Sequence, residues 1–346
     1  MIVERAKPTD ENPIVQLLTE QARGFHALDA RFADRETEGW FLERVRSWLA
    51  MQDLVNLVAR DGQGGVVGYG GARVQTLPEG HEWREWAPRT AGVWEGLAVR
   101  PPRFSERAEI LAALVQSSRR EWRSEALTGE YALWPSSDSP LGDALVELGL
   151  VRSAHLAYSP VTSSWSRGSG RAMCREARET DFPALWRLRS EQSDYHLQHC
   201  RFQRRIAGAE EIFRQQFDAA VHPLGDPADR PFISVVESDG AVVGFVATEI
   251  QTMGPGNTRY LPAGRYGYIH NAAVDGSFRG RGMGRDLLEY ARLRLQDQHL
   301  KGLVLWYVED NPLSRVFWPR LGFRNLWTRY EMRHESTAPS TELTPP

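Results

Sequence analysis

The run Arg279-Gly280-Arg281-Gly282-Met283-Gly284 sets glycines at alternate positions with two arginines among them. At the start of a helix, such a turn lets bare backbone N–H groups converge on an anion. The arginines add charge where a pyrophosphate or 3′-phosphate would sit. A dinucleotide fingerprint needs a further glycine at position 285, occupied here by Arg285, and a Walker loop needs Gly-Lys-Ser/Thr, which is absent. Taken by itself, the hexapeptide also reads as a plain turn rich in arginine and glycine. A second cluster, His196, His199 and Cys200, has the His-x-x-His spacing that puts two rings on one helix face. Asp194 is its nearby carboxylate, and His26 recurs at the corresponding place earlier in the chain. A structural or substrate-facing histidine is expected there, and no metal.

The elements around the glycine loop follow from apolar spacing. Tyr266 to Val274 reads as a strand with Tyr266, Tyr268, His270 and Ala272 on one face, and Met283 to Leu295 as a helix with Leu287, Leu288, Ala291 and Leu295 on one side. Leu303 to Val308 reads as a buried strand, and Leu313 to Leu321 as a short helix ended by Gly322. Upstream, Thr180-Asp181 can cap a helix through Leu185 and Leu188. Phe232 to Val236 and Val242 to Glu249 are β-rich runs about Asp239-Gly240, a hairpin pattern. The order is strand, helix, hairpin, strand, helix, strand, helix, which predicts an α/β (α+β mixed-sheet) domain.

That order occurs twice, at a spacing of ~170 residues, too long for a solenoid repeat and right for a duplicated domain. Phe25-His26 answers Tyr195-His196, and Val67-Gly68-Tyr69 answers Val243-Gly244-Phe245. Ala98-Val99 answers Ala273-Val274, Leu133-Trp134 answers Leu305-Trp306, and Leu148-Gly149 answers Leu321-Gly322. The expected division is a first domain over 1–160, a Ser/Gly-rich linker over 161–170, a second domain over 171–334 and a disordered tail over 335–346. At 346 residues the chain has room for two such units. A formal charge of −3 argues against nucleic acid as a partner. Two cysteines cannot build a disulfide framework, and no apolar run reaches the ~18 residues of a membrane span. A cytoplasmic protein is expected; its oligomeric state is not legible.

With Val274 five residues before Arg279, and with Asn311-Pro312-Leu313-Ser314 leading to Phe317-Trp318 and Leu321-Gly322-Phe323, residues 171–333 resemble the GCN5-related N-acetyltransferase (GNAT) superfamily. The resemblance implies two tandem GNAT-like domains, each a splayed, mostly antiparallel central sheet flanked by helices. It implies acetyl-CoA as co-substrate, with the pantetheine arm along Ala272, Ala273 and Val274. The pyrophosphate then lies on Arg279, Gly280, Arg281, Gly282, Met283 and Gly284, with Asn311 steadying the arm. The reaction implied is direct acetyl transfer to a small-molecule or peptide amine in a ternary complex, without metal or covalent enzyme intermediate. Tandem members include the mycothiol synthases. In the first half, Phe104 to Glu109 stand where the loop should be, without its glycines and with Glu106 and Glu109 added. That copy is expected to bind no acetyl-CoA.

An amine is mostly ammonium near neutral pH and needs a base. The resembled aralkylamine acetyltransferases carry histidines four and six residues before the valine matched by Val274. His270 stands at the first of these positions and Tyr268 at the second. His270 is the expected base, with Glu249 and Glu309 as alternatives, although a strand histidine that only hydrogen-bonds in a polar cleft has the same sequence. The family's general-acid tyrosine is replaced by Trp318, so Tyr268 or Tyr307 would have to serve, or the thiolate leaves unaided. The competing reading is a non-catalytic acyl-CoA-binding sensor or interaction scaffold, which Trp318 favours.

Overall fold

The structure, a computed structural model, describes residues 1–32, 37–100, 104–161, 173–222, 230–254 and 261–334. The expected linker from 162 to 170 and the tail from 335 lie outside the described residues. The chain forms β1 (Ile2–Arg5), α1 (Glu11–Leu28), α2 (Thr37–Ala50), β2 (Leu54–Arg60), β3 (Val66–Thr76), β4 (Thr90–Val99), α3 (Phe104–Glu121), β5 (Gly129–Pro135), α4 (Ser139–Glu147) and β6 (Val151–Ser159). The same series then recurs as β7 (Met173–Glu176), α5 (Phe182–His199), α6 (Ala209–Val221), β8 (Phe232–Ser238), β9 (Ala241–Met253), β10 (Gly264–Val274), α7 (Met283–Leu295), β11 (Gly302–Val308), α8 (Ser314–Arg320) and β12 (Arg324–Arg333). The duplication is therefore structural: the same series of elements is folded twice in tandem. Each copy adds a second helix and a final strand to the order read from the sequence.

Two compact units result. One holds the described residues of Met1–Ala30, Asp34–Ser153 and Arg329–Pro346, the other those of Arg31–Ala33 and Ala154–Thr328. This differs from a division at 161–170, and the reason is strand exchange. From Ala154 to Ser159, β6 pairs antiparallel with β11, in the second unit. The end of β12 lies beside β5 in the first, where His334 N–H donates to Thr128 O.

In the second unit, β7 to β10 run antiparallel in sequence order, and β10 pairs parallel with β11. Asp239 and Gly240 make the β8–β9 turn with φ of 51° and 78°, the left-handed pair that a two-residue hairpin needs. Both faces of the sheet are covered. Leu287, Leu288, Ala291 and Leu295 of α7, with Trp318 of α8, pack on Val236, Val246, Ile269 and Leu305. Phe182, Leu185 and Leu188 of α5, with Phe213 and Phe217 of α6, pack on Val235 and Phe245 opposite. The first unit repeats this plan, with β1 to β4 antiparallel and β4 parallel to β5. No helix of the described residues is long and apolar enough to cross a membrane.

A buried aspartate anchors the first long helix of each copy. Asp181 accepts Arg178 N–H at 2.7 Å and two bonds from Arg175, which also binds Glu237. Asp10 does the same with Lys7 N–H and Arg60, which also binds Glu4. The arginine and glutamate have traded strands between the copies, yet the triad is kept. Burial by itself would raise the Asp181 carboxyl, but the Arg175 guanidinium and Arg178 N–H together hold it below the usual range. A lowered native value means stability that is present above the unfolded value and lost as pH falls through the native one. Asp181→Asn is therefore expected to cost about 2 kcal/mol at pH 7, or roughly 4–8 °C in Tm. The difference should shrink as thermal melts are taken from pH 5 towards pH 3; a pH-independent difference would contradict it.

Candidate active site

The central feature of the second unit is where β10 leaves β11. The parallel ladder runs from Tyr266↔Gly302 to Ile269↔Leu305 and stops. His270 bulges out of the β9 ladder, and Asn271 to Val274 continue against β9 only. The bulge breaks the alternation expected from sequence. Tyr268 and His270 stay together, rings edge to face at 4.5 Å, while Ala272 packs with Ile269 against the core under α7.

Hydrogen-bonding direction alternates along an antiparallel strand. Asp275 N–H donates to Val243 O of β9, so Ala273 is turned to β9, and Ala272 and Val274 to the edge that β11 has left. Gln192 Nε2 donates to Ala272 O at 3.2 Å, and Arg279 Nε to Val274 O at 3.1 Å.

Between β10 and α7, Asp275 caps a short turn through Ser277, and Gly280 and Gly282 take φ of 76° and 88°. Gly282 is the N-cap of α7. Among the described residues, the N–H groups from Gly280 to Gly284 find no acceptor. This is the arrangement a pyrophosphate would fill, so the loop fits the group expected from sequence. Gly284 has a further duty, since a Cβ there would lie 3.1 Å from the Phe317 ring. Arg279 also lies over the Tyr195 ring of α5, 5.3 Å from its centroid. Asn311 is buried, and its Oδ1 accepts the N–H groups of Leu313 and Ser314 at the start of α8.

On the sheet face carrying Tyr268, His270 Nε2 meets Glu249 Oε1 at 2.9 Å, and Gln251 Nε2 donates to the same oxygen at 2.7 Å. Burial would raise the Glu249 carboxyl, but the His270 hydrogen bond and charge, with Gln251, hold it below the usual range. Of the residues singled out in the sequence, Tyr268, His270 and Glu249 are thus brought together. Glu309 is engaged instead by His155 Nε2, whose Nδ1 meets Thr328 Oγ1 at 3.0 Å. Trp318 lies in the core against Phe317 and Phe323, and the Tyr307 hydroxyl donates to Asn325 Oδ1. His196 is buried, which with Arg189 and His199 drives its ring down to about 4. No group of three or more metal-ligating side chains occurs among the described residues. Burial pushes the thiols of Cys174 and Cys200 up to about 11 and about 12, so neither supplies a thiolate near neutral pH.

The first unit keeps the splay, and among its described residues no comparable loop precedes the helix after β4. Its ladder ends at Val93↔Tyr131, and Glu95 bulges where His270 does, paired with Arg73. Four residues (100–103) connect β4 to α3, against eight (275–282) between β10 and α7. Phe104 to Glu109 are helical. Backbone that carries the loop in the second unit is taken up by the helix, whose first turn holds Glu106.

Comparison with known proteins agrees with this geometry. The model of the Acetyltransferase (GNAT) family matches residues 182–323. A GCN5-related N-acetyltransferase from Sphaerobacter thermophilus is similar in structure over 96% of this chain and 95% of its own, with 16% identity and a TM-score of 0.54. The GCN5-related glucosamine N-acetyltransferase region of a fungal multi-domain GH3 β-N-acetylglucosaminidase is similar over 95% of this chain, with 13% identity and a TM-score of 0.50. That match spans 38% of the fungal chain. At these identities the likeness is one of fold. No curated protein sequence matches the chain.

Proposed function

We propose that this chain, whose residues 182–323 match the model of the Acetyltransferase (GNAT) family, is an N-acetyltransferase that moves the acetyl group of acetyl-CoA directly to an amine, with its active site in the second unit. The observation that carries the reading is that, among the described residues, the edge of β10 beyond Ile269 is free and stands next to a helix-capping loop with unfilled N–H groups. Acetyl-CoA supplies the acetyl group as an activated thioester. Gly280 to Gly284 would hold its pyrophosphate, with Arg279 and Arg281 balancing the charge. Ala272 and Val274 would hold the pantetheine arm, with the Asn311 amide as a further donor.

His270 accepts the proton that the ammonium of the acceptor must lose. With Nε2 turned to Glu249, its Nδ1 is the nitrogen that takes the proton, directly or through one water. Glu249 fixes the ring and balances the imidazolium that forms. Tyr268 packs on the ring edge and keeps its hydroxyl on the same face. A thiol with pKa near ~8.5 can leave as thiolate, so burial of Trp318 in the core removes no indispensable acid. The acceptor is a small-molecule or peptide amine, and the protein works in the cytoplasm. The first unit binds no acetyl-CoA.

The test is thiol release from acetyl-CoA by the purified chain, over a panel of small amines, amino sugars and peptides with free amino groups. At least one amine should raise thiol release well above the amine-free rate, with double-reciprocal lines that intersect as a ternary complex requires. Trp318, at the position of the family's acid, favours a second reading as an acyl-CoA sensor. Tight acetyl-CoA binding with no release across the panel would establish that reading instead.

A further inference from the structure

Gln21 and Gln192 occupy matching places in the duplicated chain, one on α1 and one on α5, and each reaches the strand edge left free by the splay. In the first unit the carboxamide completes that edge. Its Nε2 donates to Leu97 O at 2.7 Å, and its Oε1 accepts Val99 N–H at 3.0 Å. One side chain there satisfies the groups that a neighbouring strand would otherwise take.

In the second unit only half of this is made. Gln192 Nε2 donates to Ala272 O, the counterpart of Leu97 O. Among the described residues its buried Oε1 has no hydrogen-bond partner, and Val274 N–H, the counterpart of Val99 N–H, is not taken up by it. A buried amide oxygen left unfilled is costly and calls for a donor. An unfilled acceptor beside an unfilled donor on one strand edge is complementary to a secondary amide, which offers one N–H and one C=O.

We infer that Gln192 is a cofactor-positioning residue: it stays on Ala272 O while its Oε1 accepts an amide N–H of the pantetheine arm, whose carbonyl takes Val274 N–H. The inference rests on the reading above that the second unit binds acetyl-CoA. Gln21, with both ends satisfied within the protein, is the closed form of the same device.

The test is isothermal titration of the full chain and of Gln192→Leu with acetyl-CoA and with adenosine 3′,5′-bisphosphate, which lacks the arm. Gln192→Met, of matching length, is titrated alongside to guard against a packing defect. Both variants should bind acetyl-CoA about tenfold more weakly, the loss of about one hydrogen bond. Bisphosphate affinity should be unchanged. Unchanged acetyl-CoA affinity in the variants would overturn the inference alone, as would equal weakening of both ligands. Absence of acetyl-CoA binding in the parent chain would overturn the functional reading and the inference with it.

Discussion

His270→Gln is expected to lower kcat by about 10²–10³-fold while leaving KM for acetyl-CoA within about twofold. Glutamine keeps a polar group beside Glu249 and fills nearly the same volume, so the fold and the cofactor groove should be intact. What it removes is the ability to accept a proton, which matters only as the amine becomes a nucleophile. The pH–rate profile of the variant should therefore differ from that of the parent chain, because the group that takes the amine's proton has been changed. An amine supplied above its own pKa arrives deprotonated and should recover part of the lost rate. A variant with parental kcat and an unaltered pH profile would make His270 a strand histidine held by Glu249 for structure alone.

The second large effect is on binding. Gly282 has φ of 88° and sits at the N-cap of α7, amid N–H groups that find no acceptor among the described residues. Gly282→Asp introduces left-handed strain of about 1–2 kcal/mol and a carboxylate beside the pyrophosphate. Together these should weaken acetyl-CoA binding by at least about 100-fold. Gly282→Ala carries the strain without the charge, and about tenfold weakening is expected. Titration calorimetry measures both, and thermal melts confirm that the variants are folded. If Gly282→Asp bound as the parent does, the loop would be a plain turn.

Much of the frame was legible in the sequence because it is set by local chemistry. The α7 span and its four buried apolar residues follow from apolar spacing, and the β8–β9 turn follows from Asp239-Gly240. The duplication was legible from ordered pairs such as Ala98-Val99 and Ala273-Val274. The strand exchange was not. Val151–Ser159 and Arg324–Arg333 are corresponding strands of a duplicated domain, and each is divided between the two units, so local pattern cannot decide which unit takes which part.

The bulge at His270 was hidden for a related reason. A one-residue bulge reverses the alternation beyond it, and nothing in Tyr268-Ile269-His270-Asn271 announces it. Glu249 was read as an alternative base, and its actual place as the partner of His270 needed the β9–β10 register, Tyr268↔Glu249. Gln192 was missed although the repeat contained the clue. Gln21 and Gln192 stand at the same offset as Phe25 and Tyr195 to within one residue, and a comparison of polar as well as apolar repeat positions would have found them.

The central claim is one working acetyl-CoA site per chain, in the second unit. Isothermal titration of the full chain with acetyl-CoA, read for stoichiometry, tests it most directly. The predicted result is one site per chain, lost in Gly282→Asp. Two sites would show that the first unit binds despite the helix that replaces its loop. No binding would contradict the account as a whole.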